Sequence, residues 1–249
     1  MADRDPNLSK YLGLCGVSSR RGAAELIRSG RVAVNGEAAS DPARRISPSD
    51  TVELDGRRIA PPEHFVYVVL HKPRGYVCSN ADRHAEKLAL ELIDRWPERM
   101  LRSAGRLDKE SEGLLVFSDD GEYLERAAHP RHQVTKLYEV STERDIPEAW
   151  LKRMVEGVTD DGEMLRALEV VPLGGNKYRF KLNEGKKREI RRLCSAAGAP
   201  VKRLKRVKLG ELALGELKPG EFRELSPEEV AKSLVSDPGA RSPGTSAIS

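Results

Sequence analysis

The chain is poor in cysteine and in long apolar runs, and its N-terminus lacks an apolar segment. Three cysteines, at positions 15, 78 and 194, are too widely spaced for a metal site or a disulfide framework. We therefore predict reduced and mostly buried cysteines. One of the longest apolar runs, residues 65–70, is far too short to cross a membrane. Without a signal core near the N-terminus, the sequence predicts a cytoplasmic protein.

Common cofactor-binding patterns are also missing. The sequence has neither a Walker phosphate-binding loop nor a Gly-x-Gly-x-x-Gly motif. His129 and His132 have a spacing that metal ligands can use, but Pro130 interrupts them and no Cys or carboxylate follows at a useful distance. We therefore predict a protein without a metal ion or cofactor.

Composition and charge indicate a globular protein with a polyanion-binding surface. A chain of 249 residues, 39% hydrophobic and 33% charged, suits one large domain and a small one. The net charge is +4, but residues 177–208 contain thirteen Lys or Arg and two Glu, a local net of +11. The remainder of the chain therefore carries −7. Such polarity suggests a surface for nucleic acid, although a solvated helix face would also explain a charge run.

Residues 8–60 have the pattern of a small α+β module. Two short helices are followed by hairpin turns at Asn35-Gly36 and Asp55-Gly56. Basic side chains in this module can contact phosphates without reading sequence, and the alternative is a purely structural module. The predicted RNA-contacting residues here are Lys10, Arg20, Arg21, Arg28 and Arg31. We expect a flexible N-terminus at 1–7, a linker at 61–64, the main domain at 65–235 and a disordered tail at 236–249.

The stretch from 105 to 121, GRLDKESEGLLVFSDDG, contains a carboxylate directly before a predicted buried strand. Asp108 lies in a short charged loop, and residues 113–117 form an apolar run of strand type. A buried strand holds the loop at its entrance, so Asp108 has the fixed position that a nucleophile or general base needs. The alternative is a surface Asp that begins a turn.

Further along the chain, Lys136 and Tyr138 alternate in a predicted strand and should share one face. Tyr138 would otherwise be a core residue with a satisfied hydroxyl. Residues 184–194 should begin a helix, and residues 200–209 a strand with an RNA-facing edge that carries Lys202, Arg203, Lys205 and Arg206. Other predicted helices lie at 89–95, 122–128, 146–157 and after Ser226, and other strands at 65–71, 165–171 and 178–182.

These motifs resemble a known family. Gly-Arg-Leu-Asp at 105–108, Gly-Leu-Leu at 113–115 and Asp-Asp-Gly at 119–121 resemble the signature of rRNA pseudouridine synthases of the small-subunit synthase A and large-subunit synthase B type. Lys-Pro-Arg-Gly at 72–75, Lys-Leu-Tyr at 136–138 and the run EGKKREIRRL at 184–193 resemble the family's other motifs. Residues 18–36 resemble the RNA-binding domain shared with ribosomal protein S-four.

The resemblance implies an α+β fold. We expect a catalytic domain with a mixed, mainly antiparallel sheet and flanking helices, preceded by the small S-four-like module. In this family Asp108 would be the catalytic residue, Arg191 its partner, and Tyr138 the residue that stacks on the target base. The substrate pocket would contain Arg106, Leu107, Lys136 and Ile190. The remaining residues expected to contact RNA are Lys186, Lys187, Arg188 and Arg192.

His71 and Glu189 depart from the family pattern. His71 stands where Asn is common, and we expect it to be structural. Glu189 stands where Gln is usual, and a negative charge there should weaken phosphate attraction locally. The Lys-Pro motif at 72–73 is expected to be structural as well, forming a turn beneath the Asp108 loop.

The implied activity is isomerisation of a specific uridine in ribosomal RNA to pseudouridine. This reaction is neither an oxidation nor a hydrolysis, and it requires no cofactor by stoichiometry. Arg188, where other members carry His, favours 23S large-subunit rRNA as the substrate. The alternatives are the same reaction on 16S small-subunit rRNA and a catalytically silent rRNA-binding or ribosome-assembly factor. The expected partner is ribosomal RNA or a pre-ribosomal particle, with no membrane, and the expected state is a monomer.

Overall fold

A computed structural model of the chain describes residues 5–18, 20–79 and 87–236, apart from the side chains of Arg20 and Arg21. Most of the expected flexible N-terminus and disordered tail therefore lies outside the described residues, as do the two arginine side chains expected to contact RNA. Contacts divide the chain into two compact units. The smaller comprises Met1–Val66, Trp96–Leu101 and Ser118–Gly121, and the larger comprises Tyr67–Arg95, Arg102–Phe117 and Glu122–Ser249.

The smaller unit contains two helices and a four-stranded antiparallel sheet. Its elements are α1 (Leu8–Leu14), α2 (Arg20–Arg28), β1 (Val32–Val34), β2 (Glu37–Ala38), β3 (Val52–Leu54) and β4 (Arg57–Ile59). The sheet order is β2-β1-β3-β4. Asn7 begins α1 because its Oδ1 accepts a hydrogen bond from the Lys10 amide at 2.9 Å.

Both predicted hairpin turns of this unit are present. Asn35 and Gly36 have φ values of 56° and 83°, and Asp55 and Gly56 have values of 50° and 75°. Positive φ at both central residues is the requirement of the tight turn that matches strand twist. One apolar core joins the helices to the sheet, formed by Leu8, Leu12, Ala23, Ile27, Val32, Val34 and Val52. The α+β module expected from the sequence is confirmed.

The larger unit is built on a mixed sheet. Its strands are β5 (Tyr67–Lys72), β6 (Arg102–Ser103), β7 (Glu112–Ser118), β8 (Lys136–Thr142), β9 (Val158–Asp160), β10 (Glu163–Leu165), β11 (Glu169–Pro172), β12 (Lys177–Leu182), β13 (Val201–Leu209), β14 (Leu212–Ala213) and β15 (Phe222–Glu224). Nine strands form one sheet with the order β11-β12-β8-β13-β7-β5-β15, while β14 pairs with β13 and β6 with β7. Strands β9 and β10 form a separate hairpin. The expected mixed, mainly antiparallel α+β architecture is confirmed.

Helices flank this sheet. They are α3 (Gly121–Ala128), α4 (Glu148–Glu156), α5 (Glu189–Ala196) and α6 (Pro227–Ser233), with 3-10 turns at Ala89–Leu92 and Pro130–His132. Tyr123 and Ala127 of α3 pack against Leu114 and Val116 of β7. The Ser226 hydroxyl and the Glu229 carboxylate form the predicted capping box of α6.

Two local predictions differ from the structure. The helix expected at 89–95 is only the 3-10 turn Ala89–Leu92, and the single strand expected at 165–171 is divided between β10 and β11. Asp161 and Gly162 turn the chain between β9 and β10 with φ values of 49° and 73°. The Asp-Gly pair is a sequence signal for this hairpin. The prediction followed the apolar residues at 165–171 and did not use that signal.

Strand β13 is central, which corrects the prediction of an RNA-facing edge. It pairs antiparallel with β8 on one side and parallel with β7 on the other. Where β7 and β13 meet, Gly113 is opposite Arg206, and an added Cβ at Gly113 would clash with the Arg206 backbone. Gly113 also has φ of 109°. The position therefore excludes any side chain, and the close approach fixes β7 beside β13.

The cysteines are less buried than predicted. All three carry free thiols, but only Cys194 is buried, whereas Cys15 and Cys78 are half-buried.

Across the described part of the chain, no helix combines the length and apolar character needed to span a membrane.

Candidate active site

A cavity of about 470 Å³ opens on one face of the sheet in the larger unit. Asp108, Tyr138 and Ile190 all line it. Also at its wall are three residues from the Asp108 loop and β13, namely Arg106, Leu107 and Leu204. Asp108 and Tyr138, two of the three residues predicted to be catalytic, line the cavity. The third, Arg191, does not line it but contacts Asp108.

Asp108 and Arg191 face each other at the N-terminal part of α5. Arg191 Nε lies 3.9 Å from Asp108 Oδ2, and the two side chains are 12% and 33% exposed. Arg191 Nη2 donates to the Glu110 carbonyl and to the Ser111 hydroxyl, both at 3.2 Å. Arg191 Nε is buried and makes no hydrogen bond to any described residue. Catalytic contacts in unliganded sites are often long and tighten with substrate, so this donor is available to a reacting carboxylate.

The Asp108 loop is held from below by a buried lysine. Lys72 is fully buried, and its ammonium donates to the carbonyls of Pro73, Asp108 and Ser111 at 3.0, 3.2 and 2.7 Å. Burial lowers the pKa of Lys72, and the nearby Cys78 and Asp108 act in the opposite direction. In the same motif, the Gly75 amide donates to the Lys109 carbonyl at 2.7 Å. The Lys-Pro motif therefore positions the loop, as expected.

Tyr138 and Ile190 form apolar walls. Tyr138 is on β8, where alternate residues from Lys136 to Thr142 are buried, and it is 7% exposed. Ile190 is in the first turn of α5 and is 3% exposed. One aromatic ring and one branched aliphatic side chain beside a carboxylate suit a flat heterocycle that is polar at its edge.

Lys136 shares the Tyr138 face but does not line the cavity, which corrects its prediction as a pocket residue. Its Nζ donates to the Val134 carbonyl at 3.0 Å, and the side chain is buried. Burial lowers the pKa of Lys136 to about 8, and the nearby Arg206 lowers it further, whereas Glu189 acts in the opposite direction. Lys136 therefore belongs to a buried polar layer beneath the cavity.

Glu189 lies at the cavity wall but is buried, and the weaker phosphate attraction expected from its charge stays a prediction. The side chain is 3% exposed, and burial raises its pKa. Its two carboxylate oxygens accept hydrogen bonds from the amides of Lys186 and Arg166, at 3.1 and 3.4 Å. Arg188, which precedes α5, has φ of 54°. Glu189 thus stabilises the tight loop that begins α5.

The cavity has a basic rim. Five cations line it against the two carboxylates Asp108 and Glu189; they are Arg106, Lys109, Lys186, Lys187 and Arg188. Of these, all but Lys186 are exposed, although Arg188 pairs with Glu110 at 3.0 Å. Lys186 pairs with Glu184 at 3.0 Å. A rim of this charge attracts phosphates to the entrance of the site.

Several residues predicted to contact RNA have structural partners instead. Arg206 is 2% exposed and its Nε donates to the Leu114 carbonyl at 2.7 Å, so its prediction as a surface contact is wrong. Arg192 donates to Asp160 and Glu163 at 2.5 and 2.6 Å, and it fastens the β9–β10 hairpin to α5. Arg31 pairs with Asp55 at 2.5 Å in the smaller unit.

The other predicted RNA contacts remain on the surface. Arg28 is exposed in the last turn of α2, and Lys10 is half-buried in α1. Lys202 and Arg203 are exposed at the start of β13, where Arg203 pairs with Glu112. Lys205 is partly exposed and faces away from the cavity, because its neighbour Leu204 lines it.

Sequence reasoning missed the role of Lys72 and the position of Cys78. The Leu107 amide donates to Cys78 Sγ at 3.4 Å, and Cys78 lines the cavity. Neither role had a local sequence signal, because both depend on the return of the Asp108 loop to a segment some thirty residues earlier. His71 has a structural contact, as expected, because its Nδ1 lies 2.6 Å from the Leu217 carbonyl oxygen. His132 Nε2 lies 2.9 Å from the Glu125 carboxylate.

Comparisons with known proteins identify the class of protein to which this chain belongs. A family model described as RNA pseudouridylate synthase matches residues 66–196, and one for the S4 domain matches residues 14–52. Together with the fold, these matches define an RNA-modifying enzyme with an RNA-binding domain at its N-terminal end. The resemblance drawn from the sequence motifs is confirmed.

Relatives agree with this class over most of the chain. An uncharacterised RNA pseudouridine synthase of Aquifex aeolicus is 40% identical over 90% of this chain and 94% of its own length. The ribosomal large subunit pseudouridine synthase B of Bacillus subtilis is 32% identical, with the same coverage. A crystal structure of a pseudouridylate synthase is 30% identical, covers 91% of this chain and 99% of its own, and has a TM-score of 0.67. The chain belongs to the RNA pseudouridylate synthase family and is therefore an isomerase that acts on RNA.

Replacing Lys72 tests whether the buried ammonium positions the Asp108 loop. In Lys72→Met the three carbonyls lose their donor while the volume is nearly kept, so the loop should shift and pseudouridine formation should fall about 100-fold in kcat. KM should change much less. The free energy of unfolding should fall by about 1–3 kcal/mol for the unpaired acceptors. Single-turnover kinetics and urea unfolding measure the two effects, and an unchanged kcat would contradict the positioning role.

The lowered pKa of the buried Lys136 predicts a specific pH dependence of stability. Its pKa is about 8 in the folded protein and about 10.5 when unfolded, so between these pH values the unfolded chain binds more protons and stability rises with pH. The free energy of unfolding of the wild type, relative to Lys136→Met, should therefore rise by up to about 3 kcal/mol from pH 8 to 10.5 and stay flat below pH 7. Lys152→Met, at an exposed position on α4, should show no such rise. A flat difference for Lys136→Met would contradict the burial argument.

Proposed function

We propose that this enzyme converts a specific uridine of 23S large-subunit ribosomal RNA to pseudouridine, with Asp108 as the catalytic residue. The observation that carries the proposal is the Asp108 carboxylate beside Arg191 in a cavity walled by Tyr138 and Ile190. Every one of these side chains belongs to a motif of the family. We further propose that the enzyme works as a monomer in the cytoplasm, where its ribosomal RNA substrate would be found.

The reaction transfers the ribose between two atoms of the same base. The bond from uracil N1 to ribose C1′ breaks, the detached uracil turns, and C5 bonds to C1′. The proton on C5 is then lost, and N1 regains one, so atoms and charge balance without an oxidant or a water. Asp108 acts at the ribose, either as a nucleophile on C1′ or as a base. Both roles need an ionised carboxylate at a fixed position.

Arg191 supplies the fixed position and the charge. Its guanidinium is anchored by Glu110 and Ser111, which leaves Nε directed at Asp108. A neighbouring cation favours the ionised form of a carboxylate. Arginine also holds a planar geometry that lysine lacks. The pair thereby keeps one oxygen of Asp108 oriented toward the cavity.

The walls retain the base while it is detached. Uracil is a flat ring, and Tyr138 offers a face for stacking while Ile190 closes the other side. Because both are nearly buried, a uracil between them is shielded from water. The base must leave its helical stack to enter, at a cost of a few kcal/mol that is lowest in a loop or junction. Phosphate contacts to the exposed rim cations Lys187 and Arg188 offset that cost.

The choice of the large subunit has two supports. Arg188 stands where other members of the family carry His. The Bacillus subtilis relative, a large-subunit synthase B, is 32% identical over 94% of its length. The same reaction on 16S rRNA is the alternative substrate assignment, and the site chemistry is common to both.

Removal of the carboxylate separates catalysis from binding. Asp108→Ala should lose more than 1000-fold in the rate of tritium release from C5-labelled rRNA, because it removes the carboxylate that faces Arg191 at the cavity. Glu189, the other carboxylate among the described lining residues, is buried and accepts hydrogen bonds from backbone amides. RNA affinity, measured by filter binding, should remain within a few fold.

Asp94→Asn is the matched control, since Asp94 is an exposed carboxylate outside the cavity, and its activity should equal that of the wild type. Residual tritium release by Asp108→Ala at the wild-type rate would remove Asp108 from the mechanism. Loss of binding in that variant would indicate a structural role.

The substrate assignment predicts where the modification is found. Carbodiimide treatment and primer extension of rRNA from a strain that lacks the gene should show one stop missing from 23S rRNA. Expression of the wild-type chain should restore that stop, and expression of Asp108→Ala should not. A missing stop in 16S rRNA would assign the enzyme to the small subunit, and unchanged maps of both would support a catalytically silent factor.

A further inference from the structure

The sheet of the larger unit has a second exposed face, on the side opposite the cavity. Side chains alternate along a strand, so residues next to the cavity-lining Tyr138 and Leu204 point to the other side. On β8 these are Leu137, Glu139 and Ser141, and on β13 they include Lys205. On β12, Lys177 and Arg179 are exposed, whereas Tyr178 and Phe180 between them are buried.

Strand register arranges the cations of this face in two columns. Arg179 of β12 is opposite Glu139 of β8, which is opposite Lys205 of β13. In the adjacent row, Lys177 is opposite Ser141, which is opposite Arg203. Neighbouring strands are ~4.8 Å apart, so the columns on β12 and β13 are roughly 10 Å apart, with rows ~7 Å apart along each strand.

These cations differ in their pairing from the arginines at the start of α5. Arg188, Arg191 and Arg192 all have carboxylate partners. On the opposite face Arg203 pairs with Glu112. In the described part of the chain, no carboxylate lies within ion-pairing distance of four further cations on this face, which are Lys177, Arg179, Lys205 and Lys208.

The surface between the columns is concave. One depression of about 400 Å³ is bordered by Arg179, Lys205 and Lys208, and another of about 210 Å³ by Lys177 and Arg203. Both depressions share Glu139 and Lys205, so they are neighbours along one shallow groove. Three carboxylates belong to the same face. Glu112 is buried and paired, Glu169 lies on the outer strand β11, and Glu139 is exposed between the two columns.

We propose that this groove, the β12–β13 groove, binds the phosphate backbone of a second RNA segment, distant from the segment that holds the target uridine. The identity of the RNA in this proposal rests on the proposed function, whereas the groove itself is independent of that function. Because the groove and the cavity are on opposite faces of one sheet, a short stem-loop with its target base in the cavity cannot also fill the groove. A long folded rRNA can reach both.

The chemistry of the groove favours RNA over an acidic protein. Protein interfaces bury an apolar core. Among the residues that border this groove, four exposed cations, Lys177, Arg179, Arg203 and Lys208, stand against one large exposed apolar side chain, Leu173. Two parallel columns of cations suit the repeated charges of a polyphosphate strand. Lys and Arg contacts to phosphate position a nucleic acid without reading its sequence. Such contacts would explain why the basic segment at 177–208 carries more cations than the rim of the cavity can use.

The double variant Lys177→Gln/Arg179→Gln tests the groove, with Lys152→Gln/Arg126→Gln as the matched control. Both control cations are exposed, on α4 and α3, and neither borders the groove. Fluorescence anisotropy measures binding to full-length 16S and 23S rRNA transcripts over a range of salt concentrations. The slope of log K against log salt should decrease by about two for the groove variant, about one per lost phosphate contact, and should stay unchanged for the control.

The same titration with a short stem-loop separates the groove from the cavity. The groove variant should lose more affinity for the long transcripts than for the stem-loop, and equal losses would overturn the proposal. An unchanged slope on both transcripts would also overturn it. If the variant instead lost only its retention on immobilised polyglutamate, the groove would be assigned to an acidic protein. Because binding is measured directly, a chain that modifies neither rRNA can still show the slope change, so failure of the proposed function is distinguishable.

Discussion

The ammonium of Lys72 is the interaction on which the site depends. A cation with no exposed surface needs acceptors, and three backbone carbonyls around the Asp108 loop provide them. The same bonds satisfy carbonyls that the loop turns inward, so neither partner can leave without exposing a buried polar group. Arg191 then holds the loop from the other side through Glu110 and Ser111. The Asp108 carboxylate, which we propose to be catalytic, is therefore positioned by two cations that contact its loop.

The sheet places these groups within reach of each other. Strand β7 leaves the Asp108 loop and runs parallel to β13, and the contact at Gly113 allows the two backbones to approach closely. Strand β8, on the other side of β13, carries Tyr138 onto the same face as Leu204. The helix α5 supplies Ile190 and Arg191 from one turn. Residues separated by more than eighty positions thus meet because two strands flank a third.

Local patterns predicted much of this arrangement, and long-range geometry accounts for the rest. The strand after Asp108, the Asn-Gly and Asp-Gly hairpins and the α6 capping box have signals within a few residues. Arg206 was misassigned because alternation of basic and apolar residues cannot distinguish an edge strand from a central one. Strand β13 pairs with both β7 and β8, and in this central position the Arg206 side chain is buried. Lys72 likewise acquires its role from a loop that lies more than thirty residues away.

The fold places the cations of the basic segment at 177–208, which suggested nucleic acid binding, in three different settings. Some cations stabilise structure: Arg206 donates to β7 and Arg192 ties the β9–β10 hairpin. Others, such as Lys187 and Arg188, surround the cavity. Four more, Lys177, Arg179, Lys205 and Lys208, border the β12–β13 groove without carboxylate partners in the described part of the chain. A local charge of +11 therefore overstates the charge available at the cavity, because strand alternation directs part of it to the opposite face. An enzyme that must find one uridine in a folded RNA benefits from that division, since phosphates on two sides orient the substrate without competing for the cavity.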